Sequence, residues 1–175
     1  MTRVLLVGLM ASGKSTLGQA ISAASGWPVL DNDVLLERST GSTAVVLLEQ
    51  QGLAALRAAE SHVLTLTLAM PGPLVAGVPA GVVLDARDRE RLRTGGHVVY
   101  LRTPVATLAR RVEALARRVS TVDHRPFMDD DQVVVLQAMS DERDPLYLEV
   151  ATQVLDLAVL SPQQAVAAVL GALTD

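Results

Sequence analysis

The sequence contains no cysteine, which excludes disulfides and thiolate metal sites while leaving the compartment open. Aromatic side chains are only 2% of its 175 residues, although 50% are apolar, so the core must be built from leucine, valine and alanine. That scarcity also leaves few rings on which the bases of a single-stranded nucleic acid could stack. The net charge is −4 and the isoelectric point about 5.3, so no general basic field exists to hold a polyanion. No apolar run reaches the roughly 18 residues that a membrane span requires. A glycine loop begins at Gly8, too early for the apolar segment and cleavage site of a signal peptide. The expectation is a cytoplasmic monomer without nucleic-acid or membrane partners, forming a single domain over residues 1–175.

Lysine is nearly absent too. Among 15 lysines and arginines, Lys14 is the only lysine, and it lies in Gly8-Leu9-Met10-Ala11-Ser12-Gly13-Lys14-Ser15. This is the full G-x-x-x-x-G-K-[ST] phosphate-binding loop. The site asks for a compact charge on a flexible stem, reaching between the β- and γ-phosphates, for which a guanidinium fork is too broad. A chain rich in Ala, Val, Arg and Leu is short of lysine through genome composition as well, so the surrounding motif shares the weight of the argument. It predicts a nucleoside-triphosphate site.

The order of elements supports it. Residues 4–7 are a short apolar run ending in glycine, which reads as a buried parallel strand. Residues 14–24 have helical character and close at Ser25-Gly26. Further strands are expected at 28–30, 74–76, 97–101 and 153–156. Helices are expected at 33–39, at 43–70 with breaks near Gly41 and Gly52, and at 87–93. Others follow after Pro104, over 131–150 and over 162–173, whereas residues 116–130 lack clean periodicity. This alternation predicts an α/β fold with a five-stranded parallel sheet and helices on both faces.

In that context the backbone N–H groups of residues 9–15 point at phosphates, helped by the dipole of the following helix. Gly8, Ala11, Ser12, Gly13, Lys14, Ser15 and Thr16 are the expected nucleotide contacts, and the Ser15 hydroxyl the expected Mg²⁺ ligand. The second strand ends in Asp31-x-Asp33, two carboxylates pointing the same way at a strand end. One would hold Mg²⁺ through water while the other engages a substrate hydroxyl; alternatively, the pair is a helix N-cap. Arg117 and Arg118 would contact adenine or phosphate, or would simply be solvated. Asp129, Asp130 and Asp131 read better as a helix start than as a metal cluster. His62, His97 and His124 show no metal spacing, and Trp27 reads as a packing residue.

The chain resembles the shikimate kinase family, small members of the nucleoside-monophosphate-kinase group of P-loop folds. The resemblance is carried by the loop through Thr16, then Leu30-Asp31-Asn32-Asp33 and Leu56-Arg57-Ala58-Ala59-Glu60. It continues through Gly81-Val82-Val83-Leu84, Val98-Val99-Tyr100-Leu101, Arg125-Pro126-Phe127 and Arg143-Asp144-Pro145-Leu146-Tyr147. It implies a three-layer P-loop kinase with a mobile lid over about 114–130, using ATP and Mg²⁺ to phosphorylate the 3-hydroxyl of shikimate. Asp33 would bind substrate hydroxyls and accept the proton, with Lys14 and Arg125 as its catalytic companions. Asp31 would support Mg²⁺ through water. Arg57 and Arg143 would clamp the carboxylate, a planar group well matched by guanidinium forks. Gly81 would donate a backbone N–H. In isolation Arg57 is equally an ion pair with Glu60 at i,i+3, and Arg143 a solvated helix end.

Three departures concern the acceptor side. The family's glycine run after its third strand reads Val78-Pro79-Ala80-Gly81 here. Pro79 lacks an N–H and Ala80 adds a Cβ, so only Gly81 matches. Leu47 and Leu56 stand where phenylalanines line the family's pocket, and the lid segment is longer by several residues. The readings in competition are therefore a shikimate kinase, a kinase of the same fold for another small hydroxylated acid such as gluconate, and a nucleotide-binding regulator without turnover.

Overall fold

The structure is a computed structural model describing residues 2–116 and 132–173. Five strands, β1 (Arg3–Val7), β2 (Val29–Leu30), β3 (Leu74–Gly77), β4 (His97–Arg102) and β5 (Gln153–Asp156), form one sheet in the order β2-β3-β1-β4-β5. Every pairing is parallel: Val4 lies opposite Val75 and His97, Leu30 opposite Ala76, and Leu101 opposite Leu155. The central strand β1 is buried on both faces, which is why it reads as a continuous apolar run.

Side chains alternate along β1 and feed two cores. Val4 and Leu6 face α1 (Lys14–Ser25) and α7 (Pro162–Gly171), packing on Leu17, Ile21, Ala165 and Val169. Leu5 and Val7 face the other layer. It comprises α3 (Ala44–Ala69), α4 (Ala86–Gly95), α5 (Val105–Ala116) and α6 (Gln132–Val150), which contribute Leu64, Leu92, Leu108 and Leu136. Trp27 packs against the first of these cores, as its composition-based reading expected. A third cluster joins α2 (Asn32–Thr40) to α3 through Leu36, Leu47, Leu56, Ala59 and Val63. Leu47 and Leu56 are 4% and 1% exposed, so these two positions fill the α2–α3 core.

Local signals set the element ends. Asp31 caps α2, Asp85 caps α4, and Ser161 with Gln164 forms a capping box on α7. The helix expected over 43–70 kinks where expected, with Gly52 at φ 82. The third strand ends at Gly77, and a 3-10 turn over Val82–Leu84 follows. The helix expected over 87–93 extends over Ala86–Gly95 because the Asp85 side chain caps it earlier.

Candidate active site

The phosphate loop leaves the carboxyl end of the central strand, where the flanking strands β3 and β4 diverge in connection. Gly8 and Gly13 have φ values of 145 and 106, in the region that favours glycine. A Cβ on Gly8 would also stand 2.9 Å from Ser12 Oγ and 3.0 Å from the Leu101 carbonyl oxygen. Gly13 caps α1 without a side-chain acceptor, and no acidic residue occupies the first turn, so no side chain of the cap or first turn offsets the positive end of the helix dipole. The Ser12 hydroxyl is buried and unpartnered. Lys14 Nζ folds back and donates to the carbonyl oxygens of Gly8 and Leu9, at 2.8 and 2.9 Å.

Acidic groups gather opposite that ammonium. Ser15 Oγ donates to Asp31 Oδ2 at 3.1 Å, while Asp31 Oδ1 accepts from the backbone N–H groups of Asp33 and Val34. The helix-cap reading of Asp31 is the one the structure shows, and the same carboxylate also stands beside the first turn of α1. Asn32 Nδ2 donates to Asp33 Oδ1 at 2.8 Å. Removal from water pushes the Lys14 ammonium down from 10.5 to about 8; Asp33, then Asp31 and Glu60, oppose that shift, and Arg143 adds to it. Lys14, Asp31, Asp33, Glu60 and Arg143 thus share one electrostatic neighbourhood.

Residues of α3, α6 and the 79–81 segment come together beside this group. Arg57 is paired with Glu60 through its Nη1, but the pair is not a surface one. Glu60 is buried beside the Gly81 backbone, and a Cβ on Gly81 would overlap both the Arg57 guanidinium and the Glu60 carboxylate. Burial pushes the Glu60 carboxyl up, opposed by Arg57, then Arg143 and the N–H of Gly81. Arg143, which local sequence would leave solvated, is 5% exposed. Its Nη1 reaches the Ala80 carbonyl at 3.5 Å, and its buried Nε makes no hydrogen bond, standing 3.6 Å from Glu142 Oε2 in a long ion pair. A buried guanidinium held this loosely keeps donor capacity for a further acceptor.

One contact was missed by sequence reasoning. Arg111 of α5 donates from Nη1 to the carbonyl oxygens of Ala11 and Ser12, at 3.1 and 3.2 Å, and it lies with Leu157 beside Gly13. The one signal available was its place next to the buried Val112 on a helix that follows Pro104. Thr16 is exposed at the loop's rim. Arg117 and Arg125 lie outside the described residues, as do Arg118, His124, Asp129, Asp130 and Asp131. Of the lid expected over 114–130, only residues 114–116 are described.

The donor set can be tested against the expected groups. Gly8 and Gly13 take the positive φ values that wrap the loop backbone around an open centre, as a polyphosphate requires. The Ser15 hydroxyl and Asp31 carboxylate are adjacent hard oxygens suited to Mg²⁺. Among the described residues no group of three His, Cys, Asp or Glu side chains could hold a metal ion. No helix among the described residues is long and apolar enough to cross a membrane.

Comparison with known proteins agrees with this geometry. The family model for shikimate kinase matches residues 10–174. Shikimate kinase 2 of Serratia proteamaculans is 33% identical over 172 residues, covering 97% of this chain and 94% of that protein. The structure of the Acinetobacter baumannii shikimate kinase in complex with shikimate superposes with a TM-score of 0.88 at 29% identity, covering 99% and 93% of the two chains. A gluconokinase from Sinorhizobium meliloti, at TM-score 0.62 and 19% identity over 99% of this chain and 91% of that one, shares the fold alone.

Proposed function

The chain belongs to the shikimate kinase family, and from that premise we propose that it transfers the γ-phosphoryl group of ATP to the 3-hydroxyl of shikimate. The observation that carries the reading is Arg143: a buried guanidinium that makes no hydrogen bond at Nε, has among the described residues only exposed Glu142 for an ion partner at 3.6 Å, and shares one neighbourhood with Lys14 and Asp33. It gives the crevice a carboxylate-binding end opposite its phosphate-binding end.

In this reading Arg57 and Arg143 hold the substrate carboxylate, and the Gly81 backbone limits how the ring sits. Asp33 accepts a hydrogen bond from the reacting hydroxyl and takes its proton as the oxygen bonds to the γ-phosphorus and the bridging bond to the β-phosphate breaks. Phosphoryl transfer through a loose transition state asks chiefly for positioning and charge neutralisation, so an ordinary carboxylate base suffices. Lys14 leaves the Gly8 and Leu9 carbonyls for the β- and γ-phosphates, with the loop N–H groups of residues 9–15 around them. Gly8, Ala11, Ser12, Gly13 and Thr16 form that cradle, and Arg111 holds its outer rim. Ser15 and, through water, Asp31 would hold Mg²⁺, which would neutralise charge on the β- and γ-oxygens. Arg125 would add a lid cation and Arg117 a nucleotide contact, within a single kinase domain over 1–175 acting as a cytoplasmic monomer.

Pro79 and Ala80 favour one second reading, a different small hydroxylated acid as acceptor. A coupled ADP-release assay with Mg²⁺ATP decides between them, comparing shikimate, quinate, gluconate and no acceptor. Shikimate-dependent turnover is expected. Turnover with another acid alone would overturn the substrate, and nucleotide binding without acceptor-dependent turnover would overturn the kinase.

A further inference from the structure

Helix α6 places Arg143 and Tyr147 four residues apart, and therefore on one face. Both point at the same acceptor. Tyr147 Oη donates to the Ala80 carbonyl at 2.8 Å, and Arg143 Nη1 reaches it at 3.5 Å. The shorter bond carries the restraint, since 3.5 Å is at the limit of hydrogen bonding. The other end of that peptide unit is hemmed in: Gly81 packs so closely on the Glu60 carboxylate and the Arg57 guanidinium paired with it that a Cβ there would overlap both. One rigid peptide plane is thus hydrogen-bonded at its carbonyl end by α6 and packed at its amide end against α3. Those are the two helices that carry the guanidinium groups of the acceptor site.

Tyr147 is itself held in place. It is buried, and its ring stacks on Tyr100 with centroids 5.0 Å apart and planes 26° apart. Tyr100 Oη in turn donates to Asp144 Oδ1 at 2.6 Å. Strand β4 therefore fixes the ring whose hydroxyl fixes the 80–81 peptide. In a segment where Pro79 has no N–H to give, this side chain supplies an anchor that the backbone alone lacks.

We propose that Tyr147 is a positioning residue for the acceptor: its hydroxyl fixes the 80–81 peptide, and that peptide sets the separation of Arg57 and Arg143. The proposal rests on the assignment of the substrate carboxylate to those two arginines.

Tyr147→Phe removes the hydroxyl and keeps the ring and its stack. It is expected to raise KM for shikimate about tenfold, the effect of a lost hydrogen bond that leaves a buried carbonyl unpaired. The kcat should stay within about twofold and KM for ATP should not move. Tyr100→Phe is the control, removing a hydroxyl from Asp144 and not from the loop; it should lower the melting temperature without shifting KM. A second readout needs no acceptor: amide hydrogen exchange at Gly81 should be about tenfold faster in Tyr147→Phe and unchanged in Tyr100→Phe. Wild-type exchange at Gly81 in Tyr147→Phe overturns the proposal, as does a uniform loss of kcat and both affinities. Absence of shikimate turnover in the wild type would sink the substrate assignment instead, and Gly81 exchange would still decide what the Tyr147 hydroxyl does.

Discussion

The Ser15 hydroxyl donates to the Asp31 carboxylate across 3.1 Å, joining the first turn of α1 to the cap of α2. Substitution separates the cap that Asp31 makes from the metal role proposed for it. Asparagine is as good a helix cap as aspartate, so Asp31→Asn should leave the melting temperature near wild type. It removes the charge, however, and should raise the Mg²⁺ concentration needed for half-maximal turnover at least tenfold. Asp31→Ala should show the same Mg²⁺ defect and lose about 1 kcal/mol of stability with the cap. A Mg²⁺ titration of activity alongside thermal melts distinguishes these effects, and an unchanged Mg²⁺ requirement in both variants would remove Asp31 from the metal site.

Asp33 lies two residues on, and its charge stands nearest in influence to the Lys14 ammonium. Its cap-sharing neighbour already holds the helix, so Asp33→Asn should fold normally. Turnover should fall by about 10²-fold or more, the usual contribution of a general base. ATP binding, read by calorimetry, should persist. Loss of ATP affinity instead would place Asp33 on the nucleotide side of the crevice.

The Lys14 ammonium is held at about 8, well below its ordinary 10.5, by removal from water. Below pH 8 both folded and unfolded chains carry the charge, and the folded state bears the cost of burying it. Between pH 8 and 10.5 only the unfolded chain is protonated, so stability attributable to this group rises with pH. Lys14→Met should therefore melt at or above the wild-type temperature at pH 7 while losing turnover. The same lowered value predicts that ATP affinity of the wild type falls about tenfold from pH 7 to pH 9, as the free enzyme loses the charge. Calorimetric titration at the two pH values checks it, and a flat profile would mean that the ammonium stays charged.

Much of the fold was legible because strand and helix alternate around strong punctuation. The apolar run before Gly8 and the glycines at 26, 41 and 52 act locally, and local signals survive in sequence. The acceptor side was less legible. An i,i+3 pair such as Arg57 and Glu60 has the same spacing whether it faces water or the protein interior, and only the approach of Gly81 decides which. Arg143 sits among Asp141, Glu142 and Asp144, so nothing local announces its burial; packing of α6 behind the 79–81 segment produces it. Arg111 was invisible for a related reason. Its partners Ala11 and Ser12 are about a hundred residues away in sequence, and they are backbone carbonyls that every residue type possesses.

Ala11 is the one non-glycine residue with positive φ among the described residues, at 60. The left-handed conformation costs an L-residue roughly 1–2 kcal/mol. Glycine relieves that strain but gives the unfolded chain more freedom, a loss of about 0.4–1 kcal/mol. The strain is the larger of the two, so Ala11→Gly should stabilise the protein by about 0.5 kcal/mol, raising the melting temperature by roughly 1–2 °C. Because Arg111 binds the carbonyl and not the side chain of residue 11, the nucleotide affinity should stay within about twofold. A lower melting temperature would show that the Ala11 methyl contributes more by packing on the core than its backbone loses by strain.

Gly81 makes the sharpest separation of binding from folding. Its φ of −89 is open to any residue, so backbone strain does not require glycine there. Space does: a methyl group at this position would occupy the volume of the Arg57 guanidinium and the Glu60 carboxylate. Both are ends of flexible side chains, able to swing aside at modest cost, so Gly81→Ala should lose no more than about 1–2 kcal/mol of stability. The displaced guanidinium no longer meets the substrate, and KM for the acceptor should rise at least tenfold while ATP affinity is retained. Replacing Glu60 by glutamine in the same background tests the cause, since a smaller demand for the pair should let Arg57 relax around the methyl. Recovery of acceptor KM in Gly81→Ala with Glu60→Gln, relative to Gly81→Ala alone, would tie the defect to the crowded ion pair; an unchanged KM would trace it to direct contact between the new methyl and the substrate.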